Sequence, residues 1–131
     1  MKEDDGRKIS ALFYFSSAYD IALGALFLTF APWFFRVLNI DPPNHWAYVH
    51  FPAMLLITFG IMFYKIAEKP VENRNLIPYG IMLKISYCSV VGLYTLLAQM
   101  PDMWKPFAVA DFLMLLGFIW SYKKLEPDAS K

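Results

Sequence analysis

Four long blocks of apolar residues alternate with short polar segments along this chain of 131 residues. The blocks cover about 10–35, 46–67, 76–98 and 104–122, and each is apolar around most of its helical circumference. A helix of about 20 mostly apolar residues is long enough to cross the hydrocarbon core of a bilayer. The pattern therefore predicts four transmembrane helices in a single domain, with polar tails at 1–9 and 123–131.

The segments between the blocks are short and contain helix breakers. They read Asp41-Pro42-Pro43-Asn44, Glu68-Lys69-Pro70 and Met100-Pro101-Asp102. Because short connections make consecutive helices antiparallel neighbours, we expect an all-α, up-down-up-down bundle embedded in a membrane. The alternative, a soluble bundle, would need a polar stripe on each helix, and between Phe51 and Phe63 the second block offers only Thr58.

Positive charge is distributed unequally between the two ends of the predicted bundle. The end that holds both termini and the second connector has nine basic residues, and the other end has two, Arg36 and Lys105. The nine are Lys2, Arg7, Lys8, Lys65, Lys69, Arg74, Lys123, Lys124 and Lys131. Basic residues concentrate in cytoplasmic loops, so we expect a multi-pass protein of the cell's inner (plasma) membrane with both termini in the cytoplasm.

Composition agrees with a membrane protein and narrows the classes of function. Hydrophobic residues make up 58% of the chain and charged residues 18%, with a formal net charge of +1. That charge gives no basic field for nucleic acid, so we expect no nucleic-acid partner. The lone cysteine, Cys88, has no internal disulfide partner. The N-terminal segment carries three acids and is not typical of a cleaved signal peptide, so we expect the first helix to remain attached.

Three ionisable residues lie well inside the predicted helices: Asp20, Lys84 and Asp111. From the rise per residue, Asp20 lies roughly 15 Å and Lys84 roughly 12 Å from the cytoplasmic face, and Asp111 roughly 20 Å from the opposite face. An ionised side chain at the centre of a membrane helix costs about 2.5–3.5 kcal/mol. We therefore expect the three to meet in one layer, where a single base compensates two acids and leaves one surplus carboxyl.

This charged layer has two interpretations. It is either a structural lock that fixes helix register, or a polar site for ligand binding or proton coupling, as is usual for ionisable residues inside a membrane. In the second interpretation two tyrosines are further candidates. Tyr87 lies close to Lys84 along the third helix, and Tyr64 follows Gly60 by four residues on the second.

Signatures of catalysis and of metal binding are missing from the sequence. It contains no nucleophile with a histidine at matching depth, no glycine-rich phosphate loop and no Cys/His set with metal-ligand spacing. We therefore expect neither catalytic residues nor a metal site, and the sequence specifies no cofactor.

The stretch Tyr19-Asp20-Ile21-Ala22-Leu23-Gly24, followed by Phe30-Ala31-Pro32 in the first of four short helices, resembles the DoxX-like class of small bacterial membrane proteins. Some members of that class are linked to membrane-bound redox systems, so the resemblance implies an accessory membrane subunit.

Two functions are consistent with these observations. The first is an accessory or binding module that holds a lipid-like or quinone-like molecule, or a partner helix, at the intramembrane polar site. The second is a proton-coupled small-molecule transporter, which with only four helices per chain would work as a homo-oligomer.

Overall fold

A computed structural model describes residues 2–126, and every regular element in that range is helical. The four long helices are α1 (Glu3–Val37), α2 (Ala47–Glu68), α3 (Ile77–Leu97) and α4 (Lys105–Lys124). Short 3-10 turns at Arg74–Leu76 and Asp102–Trp104 lead into α3 and α4. Each of the four is long and apolar enough to cross a membrane. The predicted all-helical fold class and the four long apolar helices are thus confirmed.

Helix α1 begins earlier than the predicted span, because the polar tail is itself helical from Glu3. Its first turn carries three acids, which interact favourably with the positive end of the helix dipole. Glu3 lies 3.5 Å from Arg7 and Asp4 lies 3.3 Å from Lys8, each pair spaced by one helical turn. At the other end of the chain, residues 127–131 of the predicted polar tail, including Lys131, lie outside the described residues, as does Met1.

The helices associate as two closely packed pairs, α1 with α2 and α3 with α4. Glycine allows the first pair to approach. A Cβ atom at Gly24 would lie 2.5 Å from the carbonyl oxygen of Ala53, and one at Gly60 would lie 2.5 Å from a side-chain carbon of Ile21. Small residues at such positions let two helix backbones come together. Backbone contacts between the two pairs are sparse, so side chains largely decide how the pairs fit.

Two clusters of buried apolar side chains lie at opposite ends of the helices. The first joins the starts of α1 and α3 to the ends of α2 and α4, and we call this end the termini half. Its buried members are Ile9, Phe13, Phe63, Ile66, Ala67, Ile77, Met114, Phe118 and Leu125. The second cluster contains Phe27, Ala31, Phe35 and Ala53, near the α1–α2 and α3–α4 connectors, and we call this end the loop half.

The connector between α2 and α3 is attached to the end of α4. Arg74 donates from Nε to the carbonyl oxygen of Tyr122 at 3.1 Å, and its guanidinium carbon lies 3.7 Å from the centroid of the Tyr122 ring. Asn73 donates a hydrogen bond to the carbonyl oxygen of Lys65 at 2.8 Å. These contacts close the termini half, because they connect the two helix pairs at that end.

Candidate functional site

The side chains of Asp20, Lys84 and Asp111 meet between the two halves of the bundle. The Lys84 ammonium donates to both carboxylate oxygens of Asp20, at 3.1 Å each, and to Oδ1 of Asp111 at 3.0 Å. Lys84 is fully buried, Asp20 is 1% exposed and Asp111 is 6% exposed. We call these three residues the charged triad. The structure brings them together as their estimated depths along the helices predicted.

The ammonium of Lys84 has no hydrogen-bonding capacity to spare. It has three N–H donors, and three carboxylate oxygens lie within hydrogen-bond distance of it. The two acids are not equivalent, because both oxygens of Asp20 accept from Lys84 whereas only Oδ1 of Asp111 does. Within residues 2–126, Oδ2 of Asp111 therefore has no protein donor. One acceptor oxygen of the triad is left for another group.

Aromatic rings of the termini half close one side of the triad. The ammonium of Lys84 lies 5.6 Å from the centroid of the Phe63 ring and 5.7 Å from that of Tyr19. Phe63 can take this position because Gly80 has no side chain, and a Cβ atom there would lie 2.6 Å from the Phe63 ring. The ring of Phe118 stacks on Phe13 at 4.6 Å and packs 5.1 Å from Phe63. The triad is thus shielded on this side by packed rings.

On the other side of the triad, the loop half contains a cavity of about 410 Å³. Asp20 and Asp111 are its only acidic lining residues, and all four long helices contribute to its walls. Most of the walls are aliphatic or aromatic: Leu23, Phe27, Tyr48, Val49, Pro52, Ala53, Leu55, Leu56, Leu83, Tyr87, Val90, Trp104 and Phe107. A few polar groups in a mostly apolar concavity are typical of small-molecule sites, and volumes of about 300–1,000 Å³ are usual.

The cavity opens sideways between α2 and α3. The lining residues of these helices include exposed ones, Tyr48 and Leu55 on α2 and Ser86 and Val90 on α3, whereas the acids at the inner end are buried. Contacts between α2 and α3 are sparse, which leaves this gap.

The two candidate tyrosines occupy different places. Tyr87 lines the cavity, and its hydroxyl donates to the carbonyl oxygen of Trp104 at 2.8 Å. Tyr64 is 46% exposed, its ring packs edge-on to Tyr14 at 5.5 Å, and it is not among the residues that line the cavity. The structure therefore brings Tyr87 but not Tyr64 to the cavity.

Sequence reasoning missed Tyr19 as a neighbour of the triad. Its hydroxyl is buried and has no hydrogen-bond partner among the described residues, and the centroid of its ring lies 5.7 Å from the Lys84 ammonium. Successive residues of a helix point about 100° apart, so helical spacing places Tyr19 on a different face from Asp20. The one available signal was its position in the sequence, directly beside an acid in an apolar helix.

The site contains no evident metal centre. Within residues 2–126, no group of three or more His, Cys, Asp or Glu side chains is arranged to hold a metal ion. The one thiol, that of Cys88, contacts the carbonyl oxygen of Ala108 at 3.4 Å. The chemistry that the site offers is therefore that of two carboxylates, an ammonium and the surrounding rings.

The chain matches no protein-family model, and neither a curated protein nor a solved structure is significantly similar to it. The resemblance to DoxX-like proteins accordingly stays a prediction, and the site has to be interpreted from its own geometry.

Proposed function

We propose that this protein is an up-down-up-down bundle in the bacterial inner membrane, with both termini cytoplasmic, and that it binds an amphipathic, lipid-like or quinone-like molecule. The observation that carries the proposal is the cavity in the loop half, whose walls are apolar and whose inner end holds Asp20 and Asp111. An apolar body fits the walls and a polar head group fits the acids.

The position of the opening supports a ligand that arrives from the bilayer. Four helices long enough to span a membrane would place the gap between α2 and α3 against lipid. A molecule dissolved in the bilayer could then enter without crossing water. With the termini half on the cytoplasmic side, as the charge bias of the sequence predicts, the cavity would lie in the outer half of the membrane.

We propose the role of an accessory binding module. Asp20, Lys84 and Asp111 hold one another in hydrogen bonds, which suits recognition of a head group. In the DoxX-like interpretation the bound molecule would be passed to, or shared with, a membrane-protein partner.

Native mass spectrometry of the protein released from its own membrane tests the binding role. We expect a bound small molecule with the wild type and its loss with Leu56→Trp, because Leu56 lines the cavity and a larger ring there fills it. Leu93→Trp is the matched control, since Leu93 is exposed on α3 and does not line the cavity. Bare wild-type protein, or equal loading of the two variants, would contradict the proposal.

A second candidate is a proton-coupled carrier that works as an oligomer. The observation that favours it is that two buried acids share one base, so the triad carries either a net negative charge or an extra proton. It predicts that Asp20→Asn or Asp111→Asn abolishes transport in vesicles while the protein still inserts and folds. Loss of the folded protein in both variants would instead assign the triad to structure.

A further inference from the structure

We infer that the cavity selects a ligand with a cationic head group, an organic ammonium attached to an apolar chain or ring, and that Asp111 is its counter-ion. This inference rests on the proposed binding function and specifies the class of ligand. Four observations carry it: the charge of the triad, the free oxygen of Asp111, the hydrogen bonds already made by the α3 donors of the cavity, and the aromatic walls.

The charge of the triad favours a cation. Asp20 and Asp111 together carry two negative charges when ionised and Lys84 carries one positive charge. These are the only charged side chains in the middle of the four described helices, so the ionised triad has a net charge of −1. A buried charge is costly unless it is paired, and a cationic ligand would pair it.

Asp111 is the acid that a ligand can reach. The side chain of Asp111, taken without its backbone atoms, is 9% accessible, and it lines the cavity. Its Oδ2 accepts no hydrogen bond from Lys84. Asp20 lines the cavity too, but it is 1% accessible and both its oxygens already accept from Lys84. A charge-assisted hydrogen bond from a ligand ammonium would therefore form with Asp111.

The donors that α3 brings to the cavity already make hydrogen bonds. The Tyr87 hydroxyl donates to Trp104, the Ser86 hydroxyl donates to the carbonyl oxygen of Met82 at 2.7 Å, and Lys84 donates to both acids. Among the described lining residues, the Tyr48 hydroxyl and the Trp104 indole make no side-chain hydrogen bond, but Trp104 lies about two helical turns from Asp111 and Tyr48 lies at the connector end of α2. The inner end of the cavity thus offers an acceptor, and the donors of α3 beside it are occupied. A quinone carbonyl at the inner end would find none of these α3 donors free, and a carboxylate would meet Asp111 with like charge.

The aromatic side chains at the cavity suit a cation as well. Rings of Phe27, Tyr48, Tyr87, Trp104 and Phe107 line it, and the faces of such rings attract cations. Phe27 is stacked on Trp104 at 5.4 Å and lies edge-on to Phe107 at 6.1 Å, so three of the rings form one aromatic wall.

Head-group preference can be measured with probes that share one chain. Full-length protein in phosphatidylcholine nanodiscs would be equilibrated with labelled decylamine, decyltrimethylammonium, decanol, decanoate or decylubiquinone, with empty nanodiscs as the blank. We expect saturable binding of decylamine, about tenfold or more tighter than binding of decanol, because one charge-assisted hydrogen bond is worth that factor. Decyltrimethylammonium has no N–H donor, and we expect it to bind more tightly than decanol through its charge and the aromatic wall. We expect no saturable binding of decanoate.

Variants of single acids locate the counter-ion. Asp111→Asn keeps the shape of the side chain and removes its charge, so the preference for ammonium over decanol should fall by about tenfold. Asp102→Asn is the matched control, because Asp102 is an exposed acid that pairs with Lys105 and lies outside the cavity lining. It removes the same charge from the chain and should leave the preference unchanged.

The outcomes separate this inference from the proposed function. Saturable binding of decanol or decylubiquinone as tight as that of the ammonium probes, in the wild type, would overturn the cationic ligand and keep the binding function. An unchanged preference in a folded Asp111→Asn variant would overturn the role of Asp111. Saturable binding of none of the five probes, together with a bare protein in native mass spectrometry, would overturn both.

Discussion

The two halves of this bundle are built from similar residues yet differ in packing. In the termini half, Phe13 stacks on Phe118 and Phe63 packs against both rings, so the side of the triad that faces this half is covered by aromatic side chains. In the loop half, Phe27, Trp104 and Phe107 also contact one another, but they form a wall of a cavity of about 410 Å³. The charged triad lies at the boundary between them.

The difference in packing comes from the contacts at the two ends of the helix pairs, and not from the hydrophobicity of the residues. At the termini half, Arg74 connects the α2–α3 connector to the end of α4, and Gly80 lets Phe63 come close to α3. At the loop half, α2 and α3 have no short connector between them, so they separate and the gap stays open. A four-helix chain can thus combine a closely packed end with an end that contains a cavity.

The largest expected effect comes from removing the base at the boundary. Lys84→Met leaves two buried carboxylates without a partner, so we expect a loss of about 3–5 kcal/mol in the free energy of unfolding. Thermal unfolding in detergent measures it. Because replacing a whole buried ion set by neutral groups is often tolerated, the triple variant Asp20→Asn, Lys84→Met, Asp111→Asn should recover most of the loss. A Lys84→Met protein as stable as the wild type would contradict the account of the triad.

The second prediction compares the loss of stability when one aromatic ring is removed from each half. Phe118→Ala removes a fully buried ring from the packed cluster and should cost about 3–5 kcal/mol. Phe107→Ala removes a half-buried ring that already borders a cavity, so we expect a loss of about 1–2 kcal/mol. Chemical unfolding of both variants checks the difference, and equal losses would mean that the two halves are equally well packed.

The charged triad was predictable from the sequence because each of its residues is the one charge in the middle of an apolar block, and helical rise fixes its depth. The cavity was not, since it depends on the distance between α2 and α3, which no local pattern specifies. The surroundings of Tyr64 were not predictable from a local pattern either. Helical spacing aligns it with Gly60, but that face of α2 packs on α1, so Tyr64 meets Tyr14 at its edge.

The apolar pattern also did not predict the early start of α1, because it detects only the hydrophobic part of a helix. Its first turns are held by the pairs Glu3–Arg7 and Asp4–Lys8 and by the contact of Lys124 with Asp5 at 3.8 Å.

A smaller loss of stability is expected when the close approach of α1 and α2, which supports both halves, is disturbed. Gly24→Ala would push a methyl group against the carbonyl oxygen of Ala53, and we expect a loss of about 1–3 kcal/mol. Gly92→Ala is the matched control, because a Cβ atom there meets nothing within 4 Å. It should be neutral or stabilise by about 0.5–1 kcal/mol, as alanine is the better helix former. Unfolding midpoints of the two variants give the comparison.

The smallest expected effect concerns the hydroxyl of Tyr87 in the loop half. Tyr87→Phe removes its hydrogen bond to Trp104 and should cost about 0.5–1.5 kcal/mol. Tyr94→Phe, at an exposed position on the same helix, should change the unfolding midpoint little. A larger loss for Tyr94→Phe than for Tyr87→Phe would contradict the hydrogen bond.

Competition photolabelling tests most directly whether the loop half contains a binding site and the termini half does not. A diazirine-bearing decylamine would be crosslinked to the protein in nanodiscs, with and without excess unlabelled decylamine, and the labelled peptides mapped by mass spectrometry. We predict that the label removed by competitor lies within 20–27, 48–56, 83–90 and 104–111. These segments of α1, α2, α3 and α4, the last with the end of the 3-10 turn before it, line the cavity. Competitor-sensitive label within 59–67, beside the packed rings of the termini half, or none anywhere, would contradict the account.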